Sequence, residues 1–93
     1  MAKIVLNGKE FEGFSVGTEH TGVLLVKAKR GLLGCGYFSI ATADKVGDAL
    51  AVVTGVKTFD DMLSAQVKLV SAAAAERGVK VGMTGSEALE LMS

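Results

Sequence analysis

The chain has 93 residues, 49% of them hydrophobic, and ten Lys and Arg balance ten Asp and Glu. Folding at this length removes only about 60 to 65% of the unfolded chain's surface from water, so a mean hydropathy of +0.43 is more than a small monomer readily hides and points to self-association. Zero net charge excludes a global field that would draw the chain to nucleic acid or an anionic membrane. The single cysteine, Cys35, and a start without a basic, long-apolar leader point to a cytoplasmic protein without disulfides.

The first forty residues have strand character. Lys3 to Leu6 and Lys9 to Val16 flank Asn7-Gly8, a dipeptide that tolerates positive φ and so predicts a two-residue type I′ hairpin. The second arm places Phe11, Gly13 and Ser15 on one side and Glu10, Glu12, Phe14 and Val16 on the other, too mixed to name the buried face. Gly17 to Gly22 reads as a polar loop. Two further strands are predicted over Val23 to Lys29 and Leu32 to Ile40. From Gly31 to Ala43 no residue is charged, and a strand apolar on both sides is one covered on both sides.

The second half reads as helical. Thr42 is a candidate cap for a helix in which Val46, Ala49, Leu50 and Val53 recur as one stripe up to Gly55. Thr58 and Asp61 resemble a capping box ahead of a second helix, with Phe59, Met62, Leu63, Val67, Val70 and Ala74 as its stripe up to Gly78. Val79 to Val81 suits one short strand. Thr84 and Glu87 form a T-x-x-E box opening a final helix with Ala88, Leu89 and Met92 inward. Gly-Val-Lys occurs at 55 to 57 and at 78 to 80, explained as a helix terminator used twice. The expected fold is mixed α+β, with an antiparallel sheet of about four N-terminal strands followed by two or three helices and a short strand. It forms a single domain over 1–93, mainly β to residue 40 and mainly α beyond it.

The strings GDALAVVTGVKTFDDMLSAQVKLVSAA and GVKVGMTGSEALELM, with the preceding Cys35-Gly36, resemble the YunC-like family, a family whose domain is of unknown function. The likeness covers roughly residues 22 to 92 and, more loosely, the hairpin. It implies a mixed domain whose N-terminal β region is a tetramerisation surface, and it carries over no catalytic residue.

Cys35 is the first chemical candidate, since a thiol between two glycines lets a substrate approach closely, and His20 is its one possible imidazole partner. Cysteine is also among the most buried residue types, so packing explains it more simply. His20 sits among Thr18, Glu19 and Thr21 and reads as a solvated surface residue, without the spacing of a metal site. Asp44 with Asp48, and Asp60 with Asp61, are pairs for acid–base work or a divalent ion, but the first turns of helices already favour acids. Thr84, Gly85 and Ser86 are candidate ligand-binding residues at a helix start, although the run lacks the Gly-Lys-Ser/Thr of a phosphate loop. Gly34-x-Gly36 likewise falls short of a dinucleotide fingerprint. No cofactor and no metal is therefore expected. Lys27, Lys29 and Arg30 read as a solvated hairpin tip rather than a nucleic-acid site. The expected partners are copies of the chain itself and an unidentified small molecule. The leading function is a small homo-oligomeric module that binds a ligand or partner, and the alternative is a thiol-dependent enzyme with Cys35 as nucleophile at a subunit interface.

Overall fold

The computed structural model describes all residues from 1 to 93. Strands β1 (Ala2–Leu6) and β2 (Lys9–Gly17) are joined by Asn7 and Gly8 at φ 50° and 79°, the pair of left-handed residues that a type I′ turn requires. Strands β3 (Gly22–Ala28) and β4 (Gly31–Gly34) follow, then helix α1 (Ile40–Val46), strand β5 (Leu50–Val52) and helix α2 (Phe59–Ser64). Strand β6 (Leu69–Val70) and helices α3 (Ala72–Glu76) and α4 (Gly85–Leu91) complete the chain.

The six strands form one sheet in sequence order, antiparallel throughout except for the parallel pairing of β4 with β5. One face carries Phe11, Leu24, Val26, Leu33, Ala51 and Val53 into the main core, where Met62 of α2, Ala74 of α3 and Ala88, Leu89 and Met92 of and just beyond α4 meet them. On the opposite face α1 lays Ala43 against Leu50 and Val52, with Leu32 and Phe38 alongside. Residues 31–35 of the uncharged stretch are thus covered on both sides, as composition implied, whereas Gly36, Tyr37, Ser39, Ala41 and Thr42 beyond them are exposed. Gly85 belongs to this packing, because any side chain there would collide with the Met62 carbonyl and the Leu33 side chain.

The mixed α+β class holds, but the second half contains more strand than the periodicity suggests. The predicted Thr42-capped helix up to Gly55 is instead a short α1 capped by Ser39, whose hydroxyl accepts the Thr42 N–H at 3.2 Å. It ends at Gly47, which is left-handed at φ 85°. Residues 49 to 53 are all buried, and so short an apolar run satisfies helical and strand spacing equally. The predicted helix from Thr58 to Gly78 is broken into α2, β6 and α3. Lys68 N–H donates to Val52 O at 2.8 Å and Ser71 N–H to Leu50 O at 2.9 Å, so an extended segment there supplies the donors that the buried β5 carbonyls need. Gly78 does end a helix in the left-handed region, whereas Gly55 follows β5. Val79 to Val81 is irregular rather than a strand. The fourth predicted strand stops at Gly34, six residues short of Ile40, because Phe38 folds back over Gly34 and the ring occupies the space of a side chain there.

Ser71 is the one buried polar residue, and its hydroxyl is fully used. Oγ donates to Asp48 O at 2.9 Å and accepts Leu50 N–H at 2.8 Å and Ala74 N–H at 3.3 Å. One side chain thus caps α3 and ties it to the entry of β5. Replacing Ser71 with Ala leaves a buried amide and carbonyl without partners and is expected to cost about 2 to 3 kcal/mol, read as a lower urea midpoint at unchanged m-value.

Candidate functional site

Strands β4 and β5 run parallel, so their carboxyl ends lie side by side, and the segments leaving them diverge. After β4 the chain turns at Cys35–Phe38, with Phe38 N–H donating to Cys35 O at 3.1 Å, and α1 packs on one face of the sheet. After β5 the segment Thr54–Lys57 leads to α2 on the other face. Neighbouring parallel strands whose following helices part to opposite faces leave a crevice at their carboxyl ends. Here it is a trough of about 600 Å3 between Cys35, Gly36 and Tyr37 on one bank and Gly55, Val56 and Lys57 on the other. Thr21 and Gly22, at the start of β3, close its end.

A second hollow of about 310 Å3 shares Thr21, Gly22, Val56 and Lys57 with the trough and adds Ser15, His20 and Leu24. Cys35 and His20, fifteen positions apart in sequence, therefore border adjoining parts of one depression. They are not bonded to each other. Cys35 is 6% exposed, and its Sγ accepts the Leu24 N–H at 3.3 Å while its own N–H donates to Leu24 O at 3.1 Å. His20 lies on the exposed loop with Nε2 3.9 Å from Glu19, a surface pair of little energetic weight.

Of the other sequence candidates, the Thr84–Ser86 turn and the carboxylates of Asp44 and Asp61 are engaged in the fold. Thr84 caps α4, its hydroxyl accepting Glu87 N–H at 3.2 Å and donating to Glu87 Oε1 at 3.1 Å. Gly85 N–H donates to Ala65 O at 2.9 Å, and Ser86 Oγ donates to Leu63 O at 3.0 Å. The donors that made this turn a candidate anion site are thus directed to neighbouring backbone and to Glu87. Asp44 accepts Ala72 N–H at 2.8 Å and Asp61 accepts the N–H groups of Lys57 and Thr58 at 3.0 and 3.2 Å. Asp44 and Asp61 each serve a helix start, Asp48 and Asp60 are exposed, and no three His, Cys, Asp or Glu side chains gather as a metal would require. Lys27, Lys29 and Arg30 are exposed around the β3–β4 turn, where Arg30 N–H donates to Met92 O at 2.9 Å.

Lys57, Tyr37 and Thr21 belong to the trough and were not singled out from the sequence. Lys57 was absorbed into a helix terminator, and the signal that distinguishes it is the strand that precedes Gly55. No helix is long and apolar enough to cross a membrane.

The family model for a domain of unknown function, DUF1805, matches residues 34–92. Over 93 aligned residues the chain is 31% identical to the uncharacterized protein YunC of Bacillus subtilis, covering 96% of this chain and 92% of that one. The chain belongs to the DUF1805, YunC-like family. A crystal structure of a protein of unknown function from Thermoplasma acidophilum, TA1206, superimposes with a TM-score of 0.94 at 34% identity, covering 99% of this chain and 90% of that chain. The segment matched by the DUF1805 model begins at Gly34 and so contains both banks of the trough, while Thr21 and His20 lie outside it.

The Thr84–Glu87 box has a measurable pH signature. Hydrogen bonds from the Thr84 N–H and then its hydroxyl hold the Glu87 carboxyl below its ordinary value of 4.5. A folded pKa below the unfolded one stabilises the protein above the unfolded value and ceases to do so as pH falls through the folded value. The stability difference between the native chain and Glu87→Gln is therefore expected to be largest above about pH 5 and to shrink steadily on acidification below that, followed by urea unfolding.

Proposed function

We propose that the chain is a homo-oligomeric module that binds a small ligand in the trough at the carboxyl ends of β4 and β5. The observation that carries the ligand part is the divergence of α1 and α2 to opposite faces from two adjacent parallel strands, which opens a crevice on a rigid, buried pair of strands. Tyr37, at 62% exposure, places an aromatic ring on the bank without a packing role for its outer edge.

Self-association is supported by a different surface. The accessible surface of 5372 Å2 is close to the roughly 5,100 Å2 expected for a monomer of this mass, so the apolar excess does not come from loose folding. Part of it lies on the face of β1–β3 that no helix covers, the rest being single side chains such as Val46, Leu69 and Val81 elsewhere on the surface. On the uncovered face Phe14 pairs with Leu25 and Val16 with Val23 across β2 and β3, and Val16 and Val5 are 63% and 58% exposed. Beside this apolar group the same face carries Lys3 paired with Glu10 at 3.7 Å, and Glu12 opposite Lys27. Two cations and two carboxylates around an apolar patch make a surface complementary to itself under a twofold rotation. A second copy of the chain is its natural occupant, and two such pairs make the tetramer that the resemblance implies.

The thiol-enzyme reading keeps one supporting fact, the presence of Cys35 in the trough with Lys57 across from it. The burial of the side chain and the bond from Leu24 to its sulfur favour a wall over a nucleophile.

Light scattering is expected to give a whole multiple of the 9.6 kDa chain mass. Val16→Lys, which alters an exposed position, is expected to weaken association by about a hundredfold, since a twofold axis places the change twice in each interface; a native chain that stays monomeric at about 100 μM overturns the assembly. Iodoacetamide at pH 7 is expected to alkylate native Cys35 at least about tenfold more slowly than the urea-unfolded chain, and a native thiol that reacts faster than the unfolded one supports the thiol-enzyme reading instead.

A further inference from the structure

The trough is one-sided in its chemistry. Its lining includes one cation, Lys57, and no carboxylate, although acids and bases are equal in number over the whole chain. Of the two acids that follow it along the chain, Asp61 is turned to the backbone and accepts the Lys57 and Thr58 N–H groups, and Asp60 pairs with no cation. Only Lys3–Glu10 and His20–Glu19 come within 4.0 Å as charged pairs, so the Lys57 ammonium is unpaired.

The backbone adds donors of the same sign. Gly36 and Tyr37 follow Cys35 outside any helix or strand, as do Gly55 and Val56 beyond β5, and none of these four N–H groups donates a hydrogen bond within the chain. Gly55 at φ 70° has open space where a side chain would stand, so a ligand can approach its backbone. The hydroxyls of Tyr37 and Thr21 also bond to nothing in the chain. Unpaired N–H groups on both banks, two free hydroxyls and one unpaired ammonium form a donor-rich surface suited to an anion.

Building on the reading of the trough as a ligand site, we infer that the ligand is a small organic anion. Its carboxylate or phosphate head lies against Lys57 and the free amides, and its apolar or planar body lies on the Tyr37 ring and Val56. Lys57 supplies the charge selectivity and Tyr37 the contact area, since charge alone on a wet surface contributes little.

Amide NMR of the full chain titrated with phenyl phosphate, benzoate and benzyl alcohol tests this. Phenyl phosphate or benzoate is expected to move the Gly36, Tyr37, Gly55 and Val56 resonances at concentrations at least about tenfold lower than benzyl alcohol does, and the better of the two anions identifies the head group. Lys57→Met is expected to weaken anion binding about tenfold while leaving benzyl alcohol unaffected; Lys57→Gln serves as a second variant, with the dispersed spectrum reporting that each is folded. Equal binding of benzyl alcohol, or unaltered anion binding in both variants, overturns the anion assignment and leaves the ligand module standing. Anion shifts centred on Lys27–Arg30 instead of the trough also overturn it. If no probe moves the trough amides at about 20 mM, weaker than any useful small-ligand affinity, the ligand-site reading falls as well.

Discussion

The backbone of Leu50–Val52 lies out of water on both faces of the sheet, so its N–H and C=O groups have to be bonded within the protein. Strand β4 meets one edge in parallel and β6 the other in antiparallel pairing, and Ser71 Oγ takes the Leu50 N–H at the entry of the strand. These requirements decide much else. They impose a break between α2 and α3 so that an extended segment can reach β5, and they place the α3 cap at Ser71 rather than further along the alanine run. Both faces of β5 then need cover, which α1 provides on one side and α4 with α2 on the other.

The trough is a by-product of the same arrangement. A parallel pair ends both of its strands at one edge of the sheet, and helices sent to opposite faces cannot close the gap between them. Phe38 fills the space above Gly34 and forces the chain to turn just past Cys35, which sets that side chain against Leu24 and leaves Gly36 and Tyr37 on the rim. The cysteine thereby acts as a buried peg, its sulfur and its amide both bonded to Leu24, that holds the turn to β3. Polar character at the rim follows from geometry, because the turn and the Gly55 segment have left the sheet and their amides have no neighbouring strand to bond.

The open face of β1–β3 is a separate matter of composition against cover. The chain has only one helix on that side of the sheet, and it sits over β4 and β5. Phe14, Val16, Val23 and Leu25 are left beyond its reach in adjoining cross-strand pairs, Val16 exposed and the other three partly buried. The trough and this apolar face occupy different parts of one sheet, adjoining only where Gly22 precedes Val23.

Local chemistry was legible in the sequence wherever a few adjacent residues settle a conformation. Asn7-Gly8, Thr58 with Asp61, and Thr84 with Glu87 each satisfy their own backbone groups, and the hairpin and both capping boxes are where they were expected. The both-sided cover of residues 31–35 was legible too, with Cys35 packed at their end, although the exposure of Gly36 and Tyr37 was not. What the tertiary structure alone decided is the state of residues 49 to 53 and 65 to 70, and with them the position of the trough. Ala49, Leu50 and Val53 fit a helical stripe as well as they fit a doubly buried strand, and periodicity cannot register that a strand already exists whose edge lacks partners. For the same reason Lys57 passed as part of a helix terminator: its place beside Cys35 depends on a parallel pairing between segments nearly twenty residues apart, an interaction that no local pattern encodes.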